Sequence, residues 1–382
     1  MEFVPKVEQA ARGLGMILPR LSPISRMSSP KRSQLLAVLI PAVLVWMCWS
    51  WFMVSGGHWG LFAESSPGSD APNWYMSITM MVGSFIAGAT SEGGGAVAFP
   101  VMTLLFDVAP STARDFSLMI QTVGMNSAAF AIFYMGVRVE KRALLFGTLG
   151  GAVGVIGGLE LVADHIPADF AKMLFISCWL AFAFGLYWIN RYREREVHLS
   201  ITNFLPRHAL LLFSTGVIGG MISSITGSGL DMSMFALLVL RLRISERVAT
   251  PTSVILMAFN AAIGFGYKGF FMEGGMVSSA WNYWYVCVPI VTLGAPFGAW
   301  FIKSKSRLFI SRILYVAITT QFIAAIFILE VYADLELLAF STTVFLVGLA
   351  FFRFLLRGGS RRLEWLSGTG KPSEVDSTPD AH

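Results

Sequence analysis

The sequence predicts an all-α fold: a polytopic membrane protein with two inverted repeats, each containing a glycine-broken helical hairpin. Three observations predict it. Of 382 residues, 55% are hydrophobic and only 13% charged, where a soluble domain carries about 25% charge. The apolar residues are gathered into runs long enough to cross ~30 Å of hydrocarbon as helices. Two apolar regions are interrupted by glycine clusters with the same layout on either side.

Taken in order, residues 1–34 form a basic leader with Lys6, Arg12, Arg20, Arg26, Lys31 and Arg32. Residues 35–72 hold a first transmembrane helix, at 35–54, and an outer loop. That run suits a spanning helix better than a signal-peptide core, and no A-x-A site follows it, so it reads as an uncleaved signal anchor. Residues 73–190 form the first transport repeat. Its apolar region at 73–106 is broken by Ser91-Glu92-Gly93-Gly94-Gly95, and long runs follow at 116–137, 143–163 and 169–190. After a linker at 191–208 comes the second repeat, 209–356. Its region at 209–241 is broken by Thr226-Gly227-Ser228-Gly229, with runs at 248–267, 281–302, 308–329 and 335–356. Residues 357–382 are a tail. The prediction is about twelve helical segments, eight long and four in the two broken pairs.

Basic residues orient this count. With the leader inside and the side changing at each segment, only Arg114, Lys172 and Lys268 fall outside among the 28 Lys and Arg residues. Positive charge resists translocation, so both termini are expected in the cytoplasm. The net charge of +5 is loop charge of this kind and gives no reason to expect nucleic acid. Cys48, Cys178 and Cys287 lie singly in apolar runs, and the five histidines fall in loops or the tail. Neither a disulfide framework nor a metal site is indicated, and no cofactor is expected. No GxxxxGK[ST] loop is present, so active transport would draw on an ion gradient, an exchanged anion or another subunit. Nothing in the sequence specifies an oligomeric state.

The two broken regions align without a gap at an offset of 134 residues: Gly93 with Gly227, Gly95 with Gly229, Leu104 with Leu238, Ser111 with Ser245 and Asn126 with Asn260. By the charge count the first pair opens outward and the second toward the cytoplasm. Inverted repeats with glycine-broken helices in matching places point to a transporter's binding site.

The motif Ser91-Glu92-Gly93-Gly94-Gly95-x-x-x-x-Pro100-x-x-x-Leu104 resembles the first glycine-rich motif of the TauE/SafE group of sulfite exporters. Gly227-Ser228-Gly229 followed by Arg247-x-x-Thr250 resembles its partner, and the resemblance covers roughly residues 75–355. It implies transport across a bacterial inner membrane, as export, of small sulfur-containing or organic anions such as sulfite, sulfonates or sulfoacetate. The chain departs from the pattern in its second break, which has no proline matching Pro100, and in the acidic residues Glu92 and Asp231 beside the breaks.

A glycine break frees backbone N–H groups, which in lipid are tolerated only where they are buried or line a cavity. Helices restarting near 96 and 230 would aim their N-terminal ends at the break, offering donors and partial positive charge to an oxyanion. The expected binding shell is Gly93, Gly94, Gly95, Gly227, Ser228 and Gly229, with hydroxyls from Ser91 and Thr226. Asn126 and Asn260 either join it or bond a neighbouring helix. Glu92 and Asp231 either carry a coupling proton or cap the short helices. Gln121 and Gln321 are assigned structural roles, Asp107, Arg114 and Asp115 are loop anchors, and Trp281, Tyr283, Trp284 and Tyr285 form an interfacial belt. A serine-protease reading of Gly227-Ser228-Gly229 fails for want of a base within a span, since no histidine lies in one. The expected partners are a small anionic substrate and the bilayer. A passive anion channel on the same architecture is the alternative.

Overall fold

The computed structural model describes residues 32–66, 71–90, 95–191, 198–302 and 307–366. The expected leader up to residue 31 and the expected tail beyond residue 366 lie outside these residues, and so do Ser91, Glu92, Gly93 and Gly94. Twelve α-helices are present among the described residues, and no strand. They are α1 (Arg32–Ser55), α2 (Trp74–Ala89), α3 (Gly95–Pro100), α4 (Pro110–Tyr134), α5 (Lys141–Leu161), α6 (Ala168–Arg191), α7 (Pro206–Thr226), α8 (Leu230–Ala236), α9 (Glu246–Phe270), α10 (Ser278–Ile302), α11 (Arg307–Ile328) and α12 (Leu335–Leu366). Eight of them contain stretches apolar and long enough to span a membrane. The chain is a multi-pass membrane protein.

The broken pairs are α2–α3 and α7–α8. Each short helix runs on into a π-helical turn, Val101–Leu105 and Leu237–Arg241. A left-handed non-glycine residue follows each turn, Asp107 at φ 50° and Arg243 at φ 55°. The hydrogen bonds match too: Val108 N–H donates to Met102 O, and Ile244 N–H to Leu238 O, both at 2.9 Å. This conformation recurs at an offset of 136 residues, not 134. Anchoring on glycines misplaced the register because the glycines differ in role. Gly95 is the first residue of a helix, whereas Gly229 precedes one with φ 155°. The consequence is that Asn260 lies opposite Gly124 rather than Asn126.

Contacts fix which ends lie together. Asp115 near the start of α4 pairs with Lys268 near the end of α9, so these two packed helices run antiparallel. Tyr75 at the start of α2 lies against Phe106 after the first π turn. The first hairpin therefore enters and leaves at the end where α4 begins. In the second, His198 N–H donates to Arg243 O, and Ile201 N–H to the Glu140 carboxylate. Glu140 N–H in turn bonds Thr252 Oγ1 at the start of α9. The second hairpin thus opens at the opposite end.

Two helix pairs pack most extensively, α5 on α7 and α10 on α2. Both are built on small residues. A Cβ added at Gly154 would lie 2.1 Å from the Val217 carbonyl oxygen, and one at Gly88 would lie 1.8 Å from the Ala295 carbonyl oxygen. Backbones this close gain dispersion contacts that lipid chains do not supply, which is how small-residue stripes hold helices together in a bilayer. Each pair joins the first half of the chain to the second, so neither half is a separate body.

Two expectations are corrected. His208 lies in the first turn of α7, where it is buried and its Nδ1 accepts from the Leu205 N–H at 3.1 Å. Tyr283 is buried with its ring edge-on to Phe116, and Trp284 Nε1 donates to Met119 O. These two rings join α10 to α4 rather than sitting at an interface with water.

Candidate functional site

The second opening is fully placed. α7 ends at Thr226, and Gly227 follows in the left-handed region at φ 80°. Glycine is required twice over at this position. The φ is strained for any other residue, and a Cβ would lie 2.4 Å from that of Ser117 on α4. Thr226 Oγ1 donates to the Ser228 carbonyl at 2.7 Å, which folds the turn on itself. Thr226, Ser228 and Asp231 are all at 0% exposure, so this irregular backbone is enclosed by protein, as hydrocarbon requires.

The donors of this opening are engaged internally. Asp231 Oδ1 accepts from the Gly229 and Met232 N–H groups at 3.2 and 2.9 Å. The Ser228 hydroxyl donates to the same carboxylate at 3.4 Å. The Leu230 N–H donates to Ser223 Oγ at 3.2 Å. The amides expected to face an oxyanion therefore already hold one, supplied by the chain. Asp231 occupies the N-terminal end of α8 as a capping carboxylate does.

The opening rests on α4 of the other half. Gln121 Nε2 donates to the Gly227 carbonyl at 2.7 Å and to the Ser117 carbonyl at 3.0 Å. Both partners are acceptors, so the NH2 end of the amide must face them. Gln121 Oε1 is left buried and unpartnered, as are Ser117 Oγ beside Gly227 and Ser84 Oγ on α2. An unmet buried polar group costs about 1–3 kcal/mol. Gln121 and Ser84 both border a narrow crevice of about 10 Å³, the room of a single water, between α2, α4 and α10, walled mainly by apolar residues such as Met80, Ile120 and Val291.

Of the first opening only the flanks are described. Thr90 caps the end of α2, with its hydroxyl on the Ile86 carbonyl, and Gly95 begins α3. Asn126 donates to Thr122 O at 2.7 Å and to Ala258 O on α9 at 3.3 Å, so it joins the two antiparallel helices. Asn260 is fully buried with neither amide atom partnered, beside Gly151 and Leu230 at the start of α8.

Sequence reasoning passed over Ser84 and Ser117 and assigned Gln121 a purely structural role. A serine or glutamine in an apolar run bonds its own helix as readily as anything else, and only packing shows what lies opposite it. Arg114 and Asp115, expected as loop anchors, lie within α4 and are buried. Asp115 accepts from Arg114 Nε at 3.0 Å, from Lys268 Nζ at 2.7 Å and from the Val277 N–H at 3.1 Å. Arg114 also reaches Asp164 at 3.1 Å. This network closes one end of the α4–α9 pair, directly above Gly227. No cluster of His, Cys, Asp and Glu suited to a metal occurs among the described residues.

Comparison with known proteins adds the family. A family model described as "Sulfite exporter TauE/SafE" matches residues 75–327. A Bacillus subtilis (strain 168) protein named "Probable membrane transporter protein YdhB" is 28% identical over 199 residues, covering 50% of this chain and 78% of that protein. No solved structure matches.

Proposed function

The chain belongs to the TauE/SafE family of membrane transporters, and from that premise we propose that it is a secondary transporter of a bacterial inner membrane exporting a small sulfur-containing or organic anion of the sulfite and sulfonate class. It is a transporter and not an enzyme. The observation that carries the substrate site is the buried, irregular Thr226–Gly229 turn, held by Gln121 from the other half of the chain. Two matched hairpins entering from opposite ends support an inverted repeat, the arrangement in which alternating access is a rocking of one half on the other. The basic loops on one side support cytoplasmic termini.

The binding shell is Gly95, Thr226, Gly227, Ser228 and Gly229, with Asn126, Asn260 and, from outside the described residues, Ser91, Gly93 and Gly94. Asp231 supplies the coupling, together with Glu92, the acidic residue beside the break of the first half. A charged Asp231 carboxylate holds the Gly229 and Met232 amides and repels an incoming anion. Protonation removes that charge and weakens its hold as an acceptor. The amides then become available to the substrate, so one proton and one anion enter together. Anion affinity accordingly rises as pH falls.

Thermal shift of the purified chain against sulfite, sulfoacetate, thiosulfate, small carboxylates and chloride tests the reading. The stabilising anion is then followed by uptake into proteoliposomes under an imposed pH gradient. A sulfur oxyanion is expected to stabilise the protein and to accumulate with the gradient. Folded protein that no anion stabilises, and that moves none, would rule the proposal out.

A further inference from the structure

We propose that the Asp115–Lys268 ion pair is a gate. It shuts the end of the molecule where α4 begins and α9 ends, and it parts when an anion passes between that side and the Gly227 turn. The inference rests on the transporter reading and assigns to its cycle two residues outside the proposed binding shell.

Three observations support it. The pair joins the two halves of the chain: Asp115 stands on α4 and Lys268 on α9, 2.7 Å apart, and Val277 of the second half donates its N–H to the same carboxylate. The pair also separates water from the break. Asp115, Arg114 and Lys268 are 0%, 2% and 6% exposed, while Asp164, which Arg114 also holds, is exposed. Beneath this cluster the same stretch of α4 meets the turn. A Cβ at Gly227 would lie 2.9 Å from the Arg114 carbonyl oxygen, and Gln121 bonds the Gly227 carbonyl. At ~1.5 Å per residue, Gln121 lies about 9 Å below Asp115 along α4, and Asn260 about 12 Å below Lys268 along α9. Finally, this contact is of a kind that can separate. The α5–α7 and α10–α2 contacts set backbone against backbone, and parting them forfeits dispersion that lipid chains do not replace. A buried ion pair differs, because burial withholds hydration from both charges and their attraction only roughly offsets that loss. Parting into water returns the hydration, so the shut and open arrangements lie close in free energy. Rocking of one half on the other needs such a two-state contact at the end that opens.

Two measurements test the gate, both in the full chain with Cys48, Cys178 and Cys287 replaced by alanine. In the first, Asp115→Cys and Lys268→Cys are bridged by a short bismaleimide, and uptake of sulfite, or of whichever screened anion the parent moves best, is followed in proteoliposomes. Bridging is expected to cut uptake about tenfold or more, because a tied gate cannot part. N-ethylmaleimide on the same two cysteines, which ties nothing, should leave most of it. In the second, Ser117→Cys, one turn below Arg114, is exposed to a membrane-impermeant maleimide from the side where α4 begins. Asp115→Asn leaves the Lys268 and Arg114 cations seeking water, so labelling should quicken about tenfold. Adding Lys268→Met should return it toward the parent rate. Uptake that bridging leaves unchanged overturns the inference while sparing the transporter reading. Should the bridged pair fail to fold, labelling decides alone, and equal rates in parent and Asp115→Asn overturn the inference. A folded parent that moves no screened anion ends both.

Discussion

Gln121 on α4 donates its amide to the carbonyl of Gly227 at 2.7 Å, across 106 positions of sequence. This one bond satisfies a carbonyl that the helix break would otherwise leave bare, and it ties the opening of the second half to a helix of the first. Replacing Gln121 by Leu leaves the Gly227 and Ser117 carbonyls without that donor. The expected cost is about 1–3 kcal/mol of stability, read as a lowered Tm in detergent together with loss of uptake. An unchanged Tm would show that the contact does not hold the opening.

Asp231 is the pH-dependent element of the proposed cycle. Asp231→Asn keeps an acceptor oxygen for the Gly229 and Met232 amides but can neither gain charge nor lose it. Wild-type uptake is expected to rise as pH falls. The variant should keep anion binding at a level that no longer depends on pH. Full pH dependence retained in Asp231→Asn, measured as initial rates across a pH series, would assign Asp231 to capping alone.

The Asp115 cluster makes a prediction in the form of a cycle. Asp115→Asn leaves Lys268 and Arg114 with one buried countercharge fewer, a loss of about 3–5 kcal/mol. Adding Lys268→Met removes the orphaned ammonium and should restore much of that stability, because the two residues touch and their effects are coupled. Thermal unfolding of the two single variants and the double variant checks it. Strict additivity would mean that the ion pair does not hold α4 to α9.

Two glycines on α5 separate packing from helix propensity. A Cβ at Gly154 would lie 2.1 Å from the Val217 carbonyl oxygen, while one at Gly157 meets nothing within 4 Å. Gly154→Ala is expected to push α5 off α7 and lower the yield of folded protein sharply. Gly157→Ala should be tolerated and gain up to about 1 kcal/mol from its better helix propensity. Size-exclusion profiles and Tm values of the two variants decide this, and similar behaviour of both would remove the close α5–α7 packing from the argument.

Much of this protein was legible before any coordinates. The count of helices, their approximate limits and both breaks followed from apolar runs and glycine clusters, because hydrocarbon admits only helices with their backbone groups satisfied and marks every exception. The family motif was legible for the same reason, since Gly227 must be glycine for its φ whatever surrounds it. Tertiary structure decided what local sequence leaves open. It set the offset between the halves at 136 by the roles of residues such as Asp107 and Arg243 rather than by the placing of glycines. It turned Arg114 and Asp115 from loop anchors into a buried network with Lys268, and it brought Gln121 and Ser117 against the Gly227 turn. The physical reason is that a run's apolarity and a glycine's freedom are properties of a few consecutive residues. The partner of a buried amide or carboxylate is set by which helix lies opposite, and that is a property of the packed chain.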